Sequence, residues 1–304
     1  MRSFKKGIYS KEKKDYKITP YIIEKATEVF NKNKWNIKQN ETEEQINWQM
    51  RFNMYCSMLS RLDKPQQELV LELTQDYEYI SSSNYMAQLY LLLTKLYKEN
   101  YENIKQYNKV YVMPLIAPND KALNKVKSST HLAYLFFVTE LAYNEYIKGI
   151  DFIRIEKLDA LPKGINSKCG SIIFLVDDFI GTGDTALDAL KELKDAGISN
   201  NKIIIVSILG MSLGIDKLRK MGIKVFSLFI KDRGITDKYD GKELEQKKAI
   251  MRSIEEDMNI VTKLNFGYQG SEALVTMART PNNTFPVFWD TGKKNQYIAP
   301  FPRR

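Results

Sequence analysis

One segment, residues 171–176, has the sequence SIIFLV and is apolar at five consecutive positions. A short unbroken apolar run is typical of a strand that is covered on both faces of a sheet. Similar runs follow at residues 202–208 and 222–229, with helical patterns at 185–196 and 215–221 between them. This alternation of strand and helix predicts an α/β fold with a doubly wound parallel sheet.

The same domain extends in both directions along the sequence. Residues 109–113 are predicted to form a further strand, followed by a loop at 114–130 and a long apolar helix at 131–146. A charged helix is predicted at 240–260. From Gly267 onward the chain is rich in Gly, Asn, Pro and aromatic residues.

Residues 40–105 carry helical patterns instead. A capping-box pattern at 42–45 opens the first helix, and Asp63-Lys-Pro65 opens a second whose apolar face extends to Ile80. Serines 81–83 cap a third helix. We therefore predict three segments, namely a basic arm at 1–40, a helical module at 41–106 for packing, self-association or partner contact, and an α/β domain at 107–304.

Cysteine and histidine are scarce, with Cys56, Cys169 and His131 as the complete set. This scarcity excludes a disulfide scaffold, a multi-cysteine zinc site and an HExxH metal site. No apolar stretch approaches the roughly 18–20 residues that a membrane span needs, and the first residues lack the apolar region of a signal peptide. A cytoplasmic protein without a membrane partner is expected.

The charge of the chain is concentrated at its N-terminus. Residues 1–40 carry eleven Lys or Arg and four Asp or Glu, and thus most of the net charge of +9. Such an arm can contact nucleic acid or another polyanion. A basic tail alone has no base-reading chemistry, so a solvated N-terminus is the favoured interpretation.

The segment after the apolar run carries the chemistry. Two carboxylates, Asp177 and Asp178, are followed by Gly181-Thr-Gly-Asp-Thr185 and then directly by a helix. Ligands of open α/β sheets bind beyond the carboxyl ends of the strands. The Thr/Gly turn would present N–H groups and hydroxyls to a phosphate at a helix N-terminus, and the carboxylates would accept hydrogen bonds from sugar hydroxyls. A ligand with a 5′-phosphate and vicinal hydroxyls fits both halves.

Three other interpretations fit less well. Gly181-x-Gly183-x-x-Ala186 matches the dinucleotide fingerprint formally, but two acids and two further residues separate it from the apolar run, and the next strand does not end in an acid. No Gly-Lys-Ser/Thr of a Walker motif is present. An acidic turn that merely caps a helix does not require both the acid pair and the Thr-Gly-x-Thr pattern.

The apolar run, the two acids and the Thr-Gly-x-Thr pattern resemble the phosphoribosyl-pyrophosphate (PRPP) motif of type I phosphoribosyltransferases. The resemblance implies a Rossmann-like phosphoribosyltransferase core with a parallel sheet, preceded by the α-helical N-terminal module. It implies that Asp177 and Asp178 are the catalytic pair that holds the ribose hydroxyls and, indirectly, Mg²⁺. The 5′-phosphate would be wrapped by five consecutive residues, namely Gly181, Thr182, Gly183, Asp184 and Thr185.

That family also has a pyrophosphate loop after an earlier strand. The matching place here is the loop before His131, where Lys121 and Ser129 are the ligand-binding candidates. Lys125, Lys127 and Ser128 belong to the same loop. Asp184 departs from the usual pattern because it adds a carboxylate beside the expected phosphate, and no base-specificity hood is evident.

The C-terminal segment resembles the tail of a phosphoribosyltransferase-like family of bacterial conflict and phage-defence gene clusters. The residues that carry the resemblance are GYQGSEALVT at 267–276 and TPNNTFPVFW at 280–289. Side chains suited to base recognition occur there, namely Tyr268, Gln269, Asn282, Asn283 and Trp289.

The leading hypothesis is an enzyme or defence effector that binds PRPP or a ribose 5-phosphate nucleotide with Mg²⁺ and transfers or hydrolyses at ribose C1. One alternative is a non-catalytic nucleotide sensor that changes contacts with a partner, a defence-system protein or a second copy of the chain, through the helical module. Another is a nucleic-acid-associated accessory protein that uses the basic N-terminus.

Overall fold

A computed structural model describes residues 18–35, 43–122, 127–292 and 298–303. The α-helices described there are α1 (Pro20–Lys32), α2 (Glu43–Leu59), α3 (Lys64–Thr74), α4 (Tyr85–Lys98), α5 (Pro118–Ala122), α6 (Ser128–Leu135), α7 (Asp184–Asp195), α8 (Ser212–Lys220) and α9 (Gly241–Asp257). The strands are β1 (Glu78–Tyr79), β2 (Lys109–Pro114), β3 (Asp151–Arg154), β4 (Ser171–Ile180), β5 (Ile203–Met211), β6 (Lys224–Lys231) and β7 (Val275–Thr276).

The central sheet has the strand order β3-β2-β4-β5-β6, and every pairing in it is parallel. The predicted α/β fold with a parallel sheet behind N-terminal helices is therefore confirmed. Strand β3 lies outside the predicted strands, because its four residues carry no apolar run. Strands β1 and β7 form a separate parallel pair.

Helices cover both faces of the sheet. Ile172, Phe174 and Val176 of β4 share a core with residues of α4 and α6, whereas Ile173 and Leu175 share another with α7 and α8. Alternate side chains of a strand point to opposite faces, so the unbroken apolar run is explained by two covered faces.

Two predicted helices are shorter in the structure. The helix predicted at 131–146 ends at Leu135, and two short 3₁₀ helices follow it. Near the end of the predicted helix, the Asn144 side chain accepts the N–H of Tyr146 at 3.1 Å and donates to Thr94 Oγ1 at 3.0 Å. Such side-chain bonds compete with helical ones.

The second predicted helix, α3, begins as expected and stops early. Asp63 and Gln66 form a reciprocal capping box at its start. The helix ends at Thr74, so the predicted extension to Ile80 is wrong. The chain there enters β1 instead, where the N–H of Glu78 donates to the carbonyl of Leu274 at 2.9 Å.

The two ends of the described chain meet in one apolar core. Residues 20–32, inside the predicted basic arm, form α1, whose buried side chains include Ile22 and Phe30. This core also contains residues of α3 and α9 and the tail residues Phe288 and Phe301. The division at residues 40 and 106 stays a prediction. None of the described helices has the length and apolar character of a membrane span.

Candidate functional site

The acid pair lies at the carboxyl end of the central strand. Strand β4 continues through Asp177 and Asp178 to Ile180, still paired with β5, whereas its pairing with β2 ends at Val176. The two acids are consecutive in a strand, so their side chains leave on opposite faces. Asp178 lies on the face that carries α4 and α6.

The Asp178 carboxylate is held from both sides by hydroxyl groups. Tyr85 Oη, at the start of α4, donates to Oδ2, and Ser128 Oγ, at the start of α6, donates to Oδ1 at 2.6 Å. Asp178 is only 4% exposed. Tyr85 Oη also accepts the N–H of Ala278 at 2.9 Å. Burial and the adjacent Asp178 carboxylate raise the pKa of Tyr85 far above its ordinary value, so this hydroxyl stays a donor.

Asp177 is half-buried, and its Oδ1 accepts the N–H of Asp178 at 2.9 Å. Burial raises the pKa of Asp177 well above its ordinary value, and the negative charge of Asp178 adds to the effect. Two adjacent carboxylates in a poorly solvated place do not both ionise easily. The pair therefore favours a ligand that brings hydrogen-bond donors or positive charge.

The pair lies at the topological switch point of the sheet. From β2 the chain crosses to β3, which lies on one side of β2. Strand β4 lies on the other side of β2, and from it the chain crosses in the opposite direction to β5. The connection after β2 reaches the carboxyl end of β4 here, as the hydrogen bond from Ser128 to Asp178 shows. A crevice at such a point is where open α/β sheets bind ligands.

The predicted phosphate loop turns directly into α7. Gly183 has φ of +82° and caps the helix, a conformation that favours glycine. The loop packs against α8 so closely that a Cβ on Gly214 would lie 2.1 Å from the carbonyl oxygen of Gly181. Thr182 is buried and Thr185 is exposed. The structure thus brings the predicted loop residues together at one helix N-terminus.

The charge of Asp184 is balanced by a residue that the sequence analysis does not identify. Lys217 Nζ of α8 lies 2.6 Å from Asp184 Oδ1. Burial would raise the pKa of Asp184, but hydrogen bonds from Lys217 and Thr182 outweigh it and lower that pKa. The carboxylate therefore sits in an ion pair, which reduces its repulsion of a phosphate on the loop.

The C-terminal segment covers the phosphate loop. A Cβ on Gly181 would lie 2.4 Å from the side-chain amide of Asn283, so only glycine fits beneath that amide. Gln269 reaches Asp184 by a hydrogen bond. Of the tail residues proposed for base recognition, these two lie at the loop. Trp289 Nε1 instead donates to the carbonyl of Thr284 at 2.7 Å, within the tail.

The predicted pyrophosphate loop is described only in part. The side chain of Lys121 and all of Lys125 lie outside the described residues. Lys127 pairs with Asp120, with 2.5 Å between Nζ and Oδ2. Ser129 is buried at the start of α6, and its Oγ has no hydrogen-bond partner within the part of the chain that the structure describes.

Tyr85 lies in the helical segment predicted for packing, self-association or partner contact, and its contact with the acid pair is not predicted from the sequence. The sequence signals only that Tyr85 begins a helix after the serines at 81–83; in the structure Asn84 precedes the helix and its side chain does not cap it. His131 is exposed, and its ring centroid lies 6.0 Å from that of Tyr85.

A five-stranded parallel sheet with an acid pair and a glycine turn at its switch point defines a phosphoribosyltransferase-like protein. The chain belongs to the PRTase-CE family, whose model matches residues 59–303. No curated protein sequence matches the chain.

Solved structures of phosphoribosyltransferases are among those to which the chain is similar. Orotate phosphoribosyltransferase from Aeropyrum pernix is 15% identical, covers 49% of this chain and 72% of its own, and gives a TM-score of 0.29. The APRTase from Giardia lamblia is 18% identical, covers 46% of this chain and 79% of its own, and gives a TM-score of 0.28. A hypothetical protein from Neisseria gonorrhoeae with bound ppGpp is 12% identical, covers 58% of this chain and 97% of its own, and gives a TM-score of 0.31.

Proposed function

We propose that this protein binds PRPP, or a related ribose 5-phosphate nucleotide, at the carboxyl end of β4 and acts at ribose C1. The observation that supports the proposal is the placement of the Asp177–Asp178 pair and the glycine turn of α7 together at the switch point. The family membership of the chain is consistent with it.

The phosphate would bind to the N–H groups of the glycine turn. The backbone from Gly181 to Thr185 leads into a helix whose N-terminus favours an anion. Lys217 supports this role, because it already pairs with Asp184 and leaves that carboxylate less able to repel the phosphate.

The ribose hydroxyls would donate to the acid pair. A carboxylate has about four lone-pair sites, so Asp178 can accept further hydrogen bonds besides those from Tyr85 and Ser128. Asp177 is the more accessible of the two and would make the first contact.

The oxygen donors of the site suit Mg²⁺ that arrives with the ligand. No group of three or more acidic, histidine or cysteine side chains forms a metal cage in the described ranges. Mg²⁺ is commonly held by one or two carboxylates together with substrate phosphates. Asp177 and Asp178 would hold it indirectly, and the ion would balance the charge of the pyrophosphate.

In the proposed reaction the bond between ribose C1 and the pyrophosphate oxygen breaks, and C1 forms a bond to an acceptor or to water. The protein would contribute orientation through the two anchored ends of the ligand, and charge stabilisation near the ribose through the carboxylates. Ser129, whose Oγ has no hydrogen-bond partner among the described residues, would contact the pyrophosphate at the start of α6.

The proposal is tested by calorimetric titration of the purified chain with PRPP and Mg²⁺. We expect saturable binding that weakens at least about tenfold, or about 1.4 kcal/mol, in Asp177→Asn. Asp188→Asn is the matched control, because it removes the same charge at an exposed position of α7 outside the site. A folded, nucleotide-free wild-type protein that does not bind PRPP would contradict the proposal.

One observation favours a second candidate, a nucleotide sensor. Tyr85 of α4 connects Asp178 to Ala278 of the tail, so a ligand at the acid pair would disturb contacts outside the sheet. Release of pyrophosphate from PRPP, measured across a set of purine and pyrimidine acceptors, separates the two. Turnover supports the transferase, whereas binding without turnover together with a change in assembly supports the sensor.

The proposal also includes a role in phage defence in the bacterial cytoplasm, which the sequence resemblance of the tail supports. Its test compares plaque formation on cells that express the wild-type chain or Asp177→Asn. Protection that depends on Asp177 would support it, and equal plaque counts would contradict it.

A further inference from the structure

A second cleft, outside the acid pair, lies between α2 and the C-terminal segment. Its volume is about 490 Å³, within the range of small-molecule sites. Its lining includes Met50, Arg51, Tyr79, Ala278, Arg279 and Phe301.

The charge of this cleft has one sign. Its lining contains two arginines, Arg51 and Arg279, and no aspartate or glutamate. Other cations nearby are paired, as in Lys231 with Glu78 at 3.3 Å and Lys238 with Asp76 at 2.8 Å. The two guanidinium groups therefore remain available to an external anion.

Aromatic rings hold Arg51 in place. Its guanidinium carbon lies 4.8 Å from the ring centroid of Tyr79 and 5.7 Å from that of Phe301, and Nη2 donates to Tyr79 Oη at 3.0 Å. A stacked guanidinium keeps its planar fork oriented and loses little freedom on binding a phosphate. Within the described residues no carboxylate pairs with it.

Arg279 is exposed, and its charge acts on a third guanidinium, that of Arg303. Arg303 Nη1 is buried without a hydrogen-bond partner in the described part of the chain. Burial and the positive charge of Arg279 lower the pKa of Arg303. A phosphate group beside Arg279 would therefore also offset the positive charge that acts on Arg303.

We propose that this cleft binds a nucleotide, with its phosphates on Arg51 and Arg279 and its base against the apolar wall. The half-buried Tyr79 and the 58% exposed Met50 provide that wall. A phosphate group alone would use the arginines and leave this surface uncovered. The chemistry of the whole cleft therefore matches a ligand that combines a flat apolar ring with negative charge.

The cleft borders the acid pair without including it. Ala278 lines the cleft, and its N–H donates to Tyr85 Oη, which donates to Asp178. The inference does not depend on the proposed PRPP function, since none of the cleft residues named here belongs to the acid pair or the phosphate loop. Binding at the two places can be abolished separately.

The experiment is calorimetric titration of the full chain with ATP and with GTP, each in the presence of saturating PRPP and Mg²⁺ and again without them. We expect saturable binding of at least one of the two nucleotides. It should weaken more than tenfold in Arg279→Glu and in Arg51→Met, because each variant removes a charge-assisted contact. Asp177→Asn should bind the nucleotide as the wild type does.

Lys263→Glu is the matched control, because it makes the same charge reversal at an exposed position outside the cleft. Circular dichroism and thermal melting verify that each variant is folded. The inference is overturned if neither nucleotide binds, if Lys263→Glu weakens binding as much as Arg279→Glu, or if Asp177→Asn alone abolishes binding. It is also overturned if inorganic triphosphate binds as tightly as the nucleotide, since the apolar wall would then contribute nothing.

Discussion

Glu255, on α9, is a buried carboxyl group with a single hydrogen-bond partner. It is 1% exposed, its Oε1 accepts the N–H of Phe266 at 2.7 Å, and its Oε2 has no hydrogen-bond partner in the described ranges. Burial raises the pKa of Glu255 to about 8, and Glu272 adds to this, against the opposing effect of the Phe266 N–H. At neutral pH the group is therefore protonated in the folded protein.

This raised pKa makes stability depend on pH. The ordinary pKa of the group is 4.5, so the folded state holds an extra proton between about pH 4.5 and pH 8. The contribution of Glu255 to the free energy of unfolding is greatest below pH 4.5 and declines as pH rises to about 8. We expect Glu255→Gln to remove this decline, so the variant gains stability relative to the wild type between pH 5 and pH 9.

Urea unfolding at pH 5, 7 and 9 measures the effect. The neighbouring exposed Glu256→Gln serves as the control, and its difference from the wild type should stay nearly constant. If Glu255→Gln also shows a constant difference across this range, Glu255 is ionised in the folded state and the explanation fails.

At the residue scale, the sequence predicts what lies within one local segment. Asp177, Asp178 and the glycine turn are contiguous, so their pattern is visible without a structure. The partners of Asp178 are not, because Tyr85 is 93 residues away and Ser128 is 50 residues away along the chain. A hydrogen bond between distant segments leaves no spacing signal in one sequence.

At the element scale, periodicity predicts the buried strands and the amphipathic helix α7 well. It fails where a polar side chain or a pairing partner decides the outcome. At the far end of the pattern at 131–146, the Asn144 side chain bonds to Tyr146 and Thr94 outside any α-helix, and β1 exists because β7 is available to pair with it. Neither cause is contained in the local apolar pattern.

The junction of α8 with the phosphate loop provides a test at this scale. A Cβ on Gly214 would lie 2.1 Å from the carbonyl oxygen of Gly181, so Gly214→Ala must push the helix and the loop apart. We expect a loss of about 1–3 kcal/mol in the free energy of unfolding, as for other overpacked sites. We also expect weaker PRPP binding, because the loop would lose its position.

Urea unfolding and calorimetry together check this result. Asp216→Ala, at an exposed position of the same helix, is the control for a general effect of substitution in α8. If Gly214→Ala matches the control in both measurements, the close approach of helix and loop does not determine the loop's conformation.

At the scale of the whole molecule, the tail joins two of the three apolar cores of the described residues. Val275 of β7 belongs to the core that α4 and α6 form with the sheet, whereas the preceding Leu274 belongs to the core that joins both ends of the chain. Helix α4 packs on the sheet although it precedes the predicted boundary at residue 106. The sequence predicts the boundary from a change of pattern, and a change of pattern says nothing about which core each segment enters.

Phe301 is the residue with which this connection can be tested. It is 1% exposed, stacks on Tyr77 with 4.7 Å between ring centroids, and lies 5.5 Å from the ring of Trp35. We expect Phe301→Ala to cost about 3–5 kcal/mol, the usual cost of removing a buried phenyl ring. Phe137→Ala, at an exposed phenylalanine, should cost far less.

The way in which this loss is distributed decides whether the chain unfolds as one unit. All three tryptophans lie outside the sheet, and Trp35 and Trp48 belong to the core of the chain ends, so tryptophan fluorescence mainly reports that core. Amide exchange in β4 and β5 reports the sheet. Because the consecutive residues Leu274 and Val275 belong to different cores, we expect Phe301→Ala to lower stability by the same amount with both probes. A fluorescence transition that shifts alone, with unchanged exchange in the sheet, would instead show that the core of the chain ends and the sheet unfold independently.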